Sequence, residues 1–240
     1  MNNIEKISIL CPTRNRINTQ IGNFVHDLIN SARDTADNSE LVEFVFYVDD
    51  DDDDTQKYFD SFEDSDIKFV HGPRIVLSET WNRCYDISSG DILFHCGDDI
   101  RFRTQGWDTI VRNKFSEFDD RIAFVFGYDG YGDPKNGGSH GFIHRNWVET
   151  IGYFVPPHFS SDYNDCWLNE VARIINRHFY VNIYTEHLHP AAGKYIWDKT
   201  HIERLDRHDK DGVEALYKQL VNERESDGHA LLKFIDEFGD

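Results

Sequence analysis

The feature that most constrains this chain is the alternation in its first hundred residues. Short apolar runs alternate with helix-periodic stretches, and several runs end in polar or acidic residues. Ile7–Cys11 is an apolar run closed by Pro12, which predicts a buried strand. From Thr19 to Ala36 the apolar residues Ile21, Phe24, Val25, Leu28, Ile29 and Ala32 recur at helical spacing. Phe44–Val48 predicts a second strand, running into six consecutive aspartates, Asp49 to Asp54. Ile67–Val70 predicts a third, and Gly72-Pro73 breaks the chain after it. A helix is expected from Ser78, as N-cap, through Ile87. Ile92–Cys96 is then a fourth strand, ending in Gly97-Asp98-Asp99. Such alternation implies an α/β domain with a mainly parallel sheet flanked by helices. Ligands of such sheets bind beyond the carboxyl ends of the strands. That rule directs attention to Thr13–Arg16, the aspartate run and Asp98-Asp99.

The rhythm changes after residue 100. Trp107–Phe118 reads as a helix, Ile122–Phe126 as a strand, and Tyr128–Ser139 as a Gly- and Asp-rich mobile loop. Gly141–His144 and Val181–Tyr184 read as short strands and Cys166–Ile175 as a helix. The chain from Lys199 onward is charged and helix-prone. The expected division is 1–200 for a catalytic domain, with halves 1–100 and 101–200, and 201–240 for a helical extension.

Charge narrows the partners. There are 25 basic and 44 acidic residues, a net charge of −19. This field disfavours long nucleic acid unless a local patch overrides it. Arg101, Arg103, Arg112 and Lys114 are candidates for such a strip. The four cysteines, Cys11, Cys84, Cys96 and Cys166, form no CxxC pair, so a reducing compartment is expected. Met1–Lys6 is polar, and no apolar run is long enough to span a bilayer. A soluble, cytoplasmic protein without a membrane partner is the expectation.

Chemistry is then weighed against plainer roles. Adjacent acids at the end of an apolar strand are costly to bury unless they are paired or metal-bound. Asp98 and Asp99 are therefore candidates to meet a divalent cation. Asp49 at the end of the second strand suits a base or ribose contact, whereas the later aspartates read as a solvated loop. In Glu186-His187-Leu188-His189, alternate residues share a face of an extended chain, so both imidazoles can face one site. Lys194 can present an ammonium to a pyrophosphate or lie on the surface. Asp162 and Asp165 are candidates for a helix cap or for a general base. Trp81 and Trp167 read most simply as core.

Ile7–Arg16, ISILCPTRNR, resembles the first strand and nucleotide loop of family 2 glycosyltransferases. WNRCYDISSGDILFHCGDDI, Trp81–Ile100, resembles the family's helix–strand–DxD segment, and Gly152–Ala172 its acceptor-side segment. The likeness runs over roughly residues 5–200 and is most specific in the Trp81–Ile100 block. The resemblance implies a GT-A fold, Rossmann-like, with a C-terminal helical tail, and an enzyme that uses a nucleotide-diphosphate sugar, often a UDP-sugar. It implies a base-contacting loop at Pro12, Thr13 and Arg14, with Asp49 as the acidic base contact. Asp99 matches the metal-binding acid of the DxD motif, with Mn²⁺ or Mg²⁺ as cofactor. A late-strand histidine, His187 or preferably His189, joins it. Asp165 matches the acceptor-activating acid of inverting members.

Two positions depart from the family pattern. Gly97 stands where the first DxD acid is usual, leaving Asp98 as its substitute. Asn164 stands where the acidic pair usually has Glu, leaving Asp162 as the fallback base. The resemblance leaves the expected acceptor open among a glycan, a small molecule and modified DNA. The competing readings are a transferase for hydroxymethylated pyrimidines in DNA and a catalytically degenerate nucleotide-sugar-binding module. A nucleotidyltransferase ranks low, because Cys11–Arg16 has no glycine to cradle phosphate.

Overall fold

The computed structural model describes residues 4–238. Met1–Asn3 of the polar start and the last two residues of the tail lie outside the described residues. The strands are β1 (Ile7–Thr13), β2 (Val42–Asp49), β3 (Ile67–Gly72), β4 (Ile92–His95), β5 (Ile100–Phe102), β6 (Phe124–Tyr128), β7 (Gly141–His144) and β8 (His178–His187). The helices are α1 (Phe24–Thr35), α2 (Asp53–Asp60), α3 (Leu77–Ile87), α4 (Trp107–Ser116), α5 (Arg145–Ile151) and α6 (Asn164–Ile174), followed by α7 (Lys199–Lys210), α8 (Val213–Gln219) and α9 (Val221–Phe238).

The strands form one sheet in the order β3-β2-β1-β4-β7-β6-β8-β5. The first four run parallel; β7 then pairs antiparallel with both β4 and β6. The sheet is covered on both faces, and strand residues alternate between two apolar clusters. Ile7, Ile9 and Cys11 of β1 point into one cluster, which also holds residues of α1 and α4. Leu10 points into the other, which holds residues of α3, α5 and α6. Trp167 is fully buried in the second cluster, as expected of a core residue. β1 lies between β2 and β4, so the order reverses there and the carboxyl ends of β1 and β4 open a crevice.

Several local expectations need correction. Helix α1 starts at Phe24, because Asn23 caps it by accepting the His26 amide at 2.9 Å. Ser78 is not an N-cap; it lies inside α3, and its hydroxyl donates to the Phe159 carbonyl at 2.8 Å. The aspartate run is not simply a solvated loop. Asp52 is buried, accepts the Asn15 amide at 2.6 Å and caps α2, whose first turn holds Asp53 and Asp54. Acids at a helix N-terminus are stabilised by its dipole, which makes this helix possible. The basic strip does not form. Arg101 and Arg112 are buried on Asp27 and Asp108, and Arg103 and Lys114 pair with Glu186 and Glu117. No helix among the described residues is long and apolar enough to cross a membrane.

The tail packs against the domain. Arg224 of α9 is buried, pairs with Glu170 of α6 and lies over the rings of Trp167 and Tyr217. The boundary expected at residue 200 falls within α7, whose side chains line the crevice.

Candidate active site

A single cleft gathers most of the residues singled out from the sequence. Pro12, Thr13 and Arg14 reach it from the end of β1, and Tyr47 and Asp49 from β2. Gly97, Asp98 and Asp99 follow β4, while Asp162 and Asp165 come from the approach and first turn of α6. His187 and His189 arrive from β8 and the loop beyond it. Lys194 does not line the cleft. Its ammonium sits 3.1 Å from the Tyr184 hydroxyl and 3.4 Å from Glu186.

The switch point is stitched by polar contacts. Thr13 donates its hydroxyl to Asp98 at 2.8 Å, and Arg16 Nε lies 3.4 Å from the same carboxylate. Burial and the neighbouring Asp99 charge push Asp98 up to about 6, against the pull of Arg16 and Thr13. Arg14 bridges Asp49, at 2.9 Å, and Asp51. Asp49 is therefore held by a cation at the end of its strand, and burial still leaves its pKa above the usual value.

Asp99, His140 and His187 form a buried trio. One ligand atom from each lies within 4.8 Å of the others. His187 Nε2 is 3.2 Å from Asp99, and its Nδ1 is 3.6 Å from Asp129. Burial opposes charge on His187, yet Asp99 and Asp129 raise its pKa to about 9. The two carboxylates thus demand a positive charge at this spot. Burial, reinforced by His187, lowers His140 to about 4, leaving a neutral imidazole. His140 Nδ1 is buried without a hydrogen-bond partner, and His187 Nδ1 and the Asp129 oxygen facing it have only each other, at 3.6 Å. Two imidazoles and a carboxylate with spare polar atoms fit a divalent cation of the Mn²⁺, Zn²⁺ or Fe²⁺ type better than Mg²⁺. His189 lies beside the trio, with 5.0 Å between its ring and that of His187, and its Nδ1 accepts the Ala191 amide at 3.1 Å.

The two departures from the family pattern have local causes. A Cβ on Gly97 would stand 2.9 Å from an Asp99 oxygen and 3.1 Å from His140 Nε2. Glycine at this position makes room for the trio. Asn164 is buried at the start of α6, where its side-chain oxygen, 2.8 Å from the Ser78 hydroxyl, shares that donor with the Phe159 carbonyl. That bond fixes the helix start that carries Asp165. Tyr163, just before it, adopts φ 75°, a left-handed conformation unusual for a bulky residue. Burial raises Asp165 to about 6, against hydrogen bonding from Cys166. Asp162 is instead gripped by Arg204 and by His208 Nδ1 at 2.6 Å.

Sequence reading missed His140 and the α7 residues His201, Arg204 and Arg207, and gave Arg16 no role beyond its place in the Thr13–Arg16 loop. His140 sits in a Gly-rich loop with no metal-ligand spacing, and only folding brings it to Asp99. Trp81 belongs to the core as expected and also lines the cleft. It donates its indole N–H to the Cys96 carbonyl at 3.1 Å.

A cleft at the switch point of a parallel sheet, with acids following β4 and a second, antiparallel half, defines a GT-A fold. The family model described as Glycosyl transferase family 2 matches residues 8–179, and the chain belongs to that family. It is a glycosyltransferase. Among solved structures it is similar to the mannosyltransferase PcManGT from Pyrobaculum calidifontis in complex with GDP-Man and Mn²⁺. The TM-score is 0.59 at 12% identity, covering 99% of this chain and 74% of that one. It is also similar to S. aureus TarS 1-349 in complex with UDP-GlcNAc, with TM-score 0.56 and 14% identity, over 75% of this chain and 58% of that one. At 36% coverage of a longer S. aureus TarS chain, it spans about a third of that protein. No curated protein is significantly similar to the chain in sequence.

Proposed function

We propose that this glycosyltransferase moves a sugar from a nucleotide-diphosphate donor to an acceptor hydroxyl, with inversion and with a divalent metal. The observation that carries this reading is the convergence of three groups on one cleft. These are the Pro12–Arg14 and Asp49 end, the Asp99–His140–His187 trio, and Asp165 at the start of α6. A UDP-sugar is the first donor to test, although the similar structures hold GDP-Man as well as UDP-GlcNAc.

Pro12, Thr13, Arg14 and Asp49 would hold the nucleoside. Asp99, His140 and His187 would hold the cation. Such an ion, when bound, offsets charge building on the leaving diphosphate. Arg16 and Arg204 also line the cleft as fixed cations, a role that Lys194 is not placed to fill. Asp165 would take the proton from the acceptor hydroxyl as it attacks the anomeric carbon, and a pKa near 6 suits a base working at neutral pH. Asp162, engaged by Arg204 and His208, is the fallback. Acceptors of modified-DNA type lose support because the basic strip is internally paired. The degenerate-module reading loses support because Gly97 and Asn164 both have structural reasons.

The test is a thermal-shift screen of nucleoside diphosphates and their sugars, with and without Mn²⁺ or Mg²⁺, on wild type and Asp99→Ala. Ligand binding to the native state raises the melting temperature. A metal-dependent shift with one nucleotide, lost in Asp99→Ala, is expected. No shift with any donor would sink the reading.

A further inference from the structure

The cleft shares a wall with a second, more open recess to which the reading above gives no role. Arg74, Ile75 and Arg207 line both. The recess continues over Val76, Glu79, Ser160 and Asp211. Arg74 pairs with Glu203 at 2.5 Å and Arg204 with Asp162, but Arg207 has no carboxylate within ion-pair distance among the described residues. Its Nε is buried without a partner. Burial and the Arg74 charge lower its pKa, while the more distant carboxylates of Glu203, Asp49 and Asp211 act the other way.

Three further features point the same way. Helix α3 begins at this wall, and Val76 in its N-cap position supplies no capping side chain. Part of the positive helix end is left at this wall, although the Ser78 amide donates to the Phe159 carbonyl at 3.1 Å and Glu79 lies in the same turn. Ser160 lines it, is only 7% exposed, and its hydroxyl has no partner. Of the two acids at the recess, Glu79 is turned to Arg83 at 3.1 Å, and Asp211 is exposed at the end of α7.

We propose that this recess binds an anionic substituent, a phosphoryl or carboxyl group, carried by the acceptor. The inference rests on the transferase reading above. Ser160 directly precedes Ser161 and Asp162, the segment leading to Asp165, so the recess adjoins the side where the acceptor would enter. The donor diphosphate has its own place at the Asp99 trio. A long polyanion is disfavoured by the net charge of −19, whereas one anionic group on a small acceptor meets only the local arginines.

The test is calorimetric titration of the full chain with inorganic phosphate, and separately with acetate, with no divalent cation added. Wild type, Arg207→Gln, Arg207→Lys, Ser160→Ala and Asp99→Ala are compared, with circular dichroism to confirm folding. Phosphate should bind wild type and Asp99→Ala alike. It should bind Arg207→Gln about 10-fold more weakly, a loss expected of one charge-assisted contact, and Arg207→Lys should recover part of it. Ser160→Ala should weaken binding to a smaller degree. Acetate binding at the same residues would assign a carboxyl group, and phosphate alone a phosphoryl group. No binding of either ion to wild type, or equal binding to Arg207→Gln, overturns the proposal. Loss in Asp99→Ala with retention in Arg207→Gln overturns it too, by placing the ion in the donor site. Failure of the donor reading shows separately, in the nucleotide screen.

Discussion

The wall of the cleft formed by β1, β2 and β4 differs from the wall facing it in how its side chains are held. On the first, Thr13, Asp49 and Asp98 sit on or just after parallel strands whose register is set by two buried faces. On the second, His140 comes from a loop, Asp165 from a helix start fixed by the Ser78–Asn164 bond, and Arg204 and Arg207 from the tail. The sheet thus fixes the positions of the first set, while side-chain contacts between distant segments fix the second. If the first wall holds the donor and the second the acceptor, as proposed, a family fold can keep the one and vary the other.

The largest break in this comparison is expected on the second wall. Asp165→Asn should lower kcat by about 10³-fold, the scale of general base catalysis. In the wild type, kcat should rise with pH through about 6, because the carboxyl must be ionised to accept a proton. The variant should lose that rise. The product anomer, read by NMR, should be opposite to that of the donor; retention would remove Asp165 from this role.

A smaller effect belongs to the strands that carry the first wall, at their end away from the cleft, and bears on folding. Glu43 is fully buried in β2, accepts the Ser8 hydroxyl at 2.5 Å and pairs with Lys68 at 3.0 Å and Lys6 at 3.2 Å. Burial raises its pKa, but the bonds from Ser8, Ser89 and Lys68 outweigh this and lower it to about 2. Its stabilising contribution is present above the usual glutamate range, near 4.5, and is lost as pH falls toward 2. Glu43→Gln should cost about 2 kcal/mol at neutral pH and flatten the acid limb of the melting temperature. An unchanged acid limb would mean that the sheet is not held through this carboxylate.

The same contrast explains what the sequence disclosed. β1 to β4 and the acids that follow them were legible because a buried strand and its end are local patterns. Asp99 and His187 were legible as candidates for the same reason. His140 was not, since Gly138-Ser139-His140-Gly141 carries no periodicity and its role depends on β7 pairing beside β4. α2 was hidden because six aspartates look like a repelling loop until Asp52 is seen capping a helix. Ser78 looked like a cap, yet it ties two helices together across 86 residues.

The most direct test of the central claim, that the two walls meet at a cation site, is a Mn²⁺ titration of the full chain followed by the EPR signal of the free ion. Wild type, His140→Ala and His189→Ala should be compared. The trio predicts that His140→Ala weakens binding by at least about 10-fold, the scale of losing a group that holds or supports a metal, while His189→Ala, outside the trio and with its Nδ1 engaged by the Ala191 amide, has the smaller effect, within about 3-fold of wild type. Wild-type affinity in His140→Ala would contradict the account, because the loop wall would then contribute nothing to the metal.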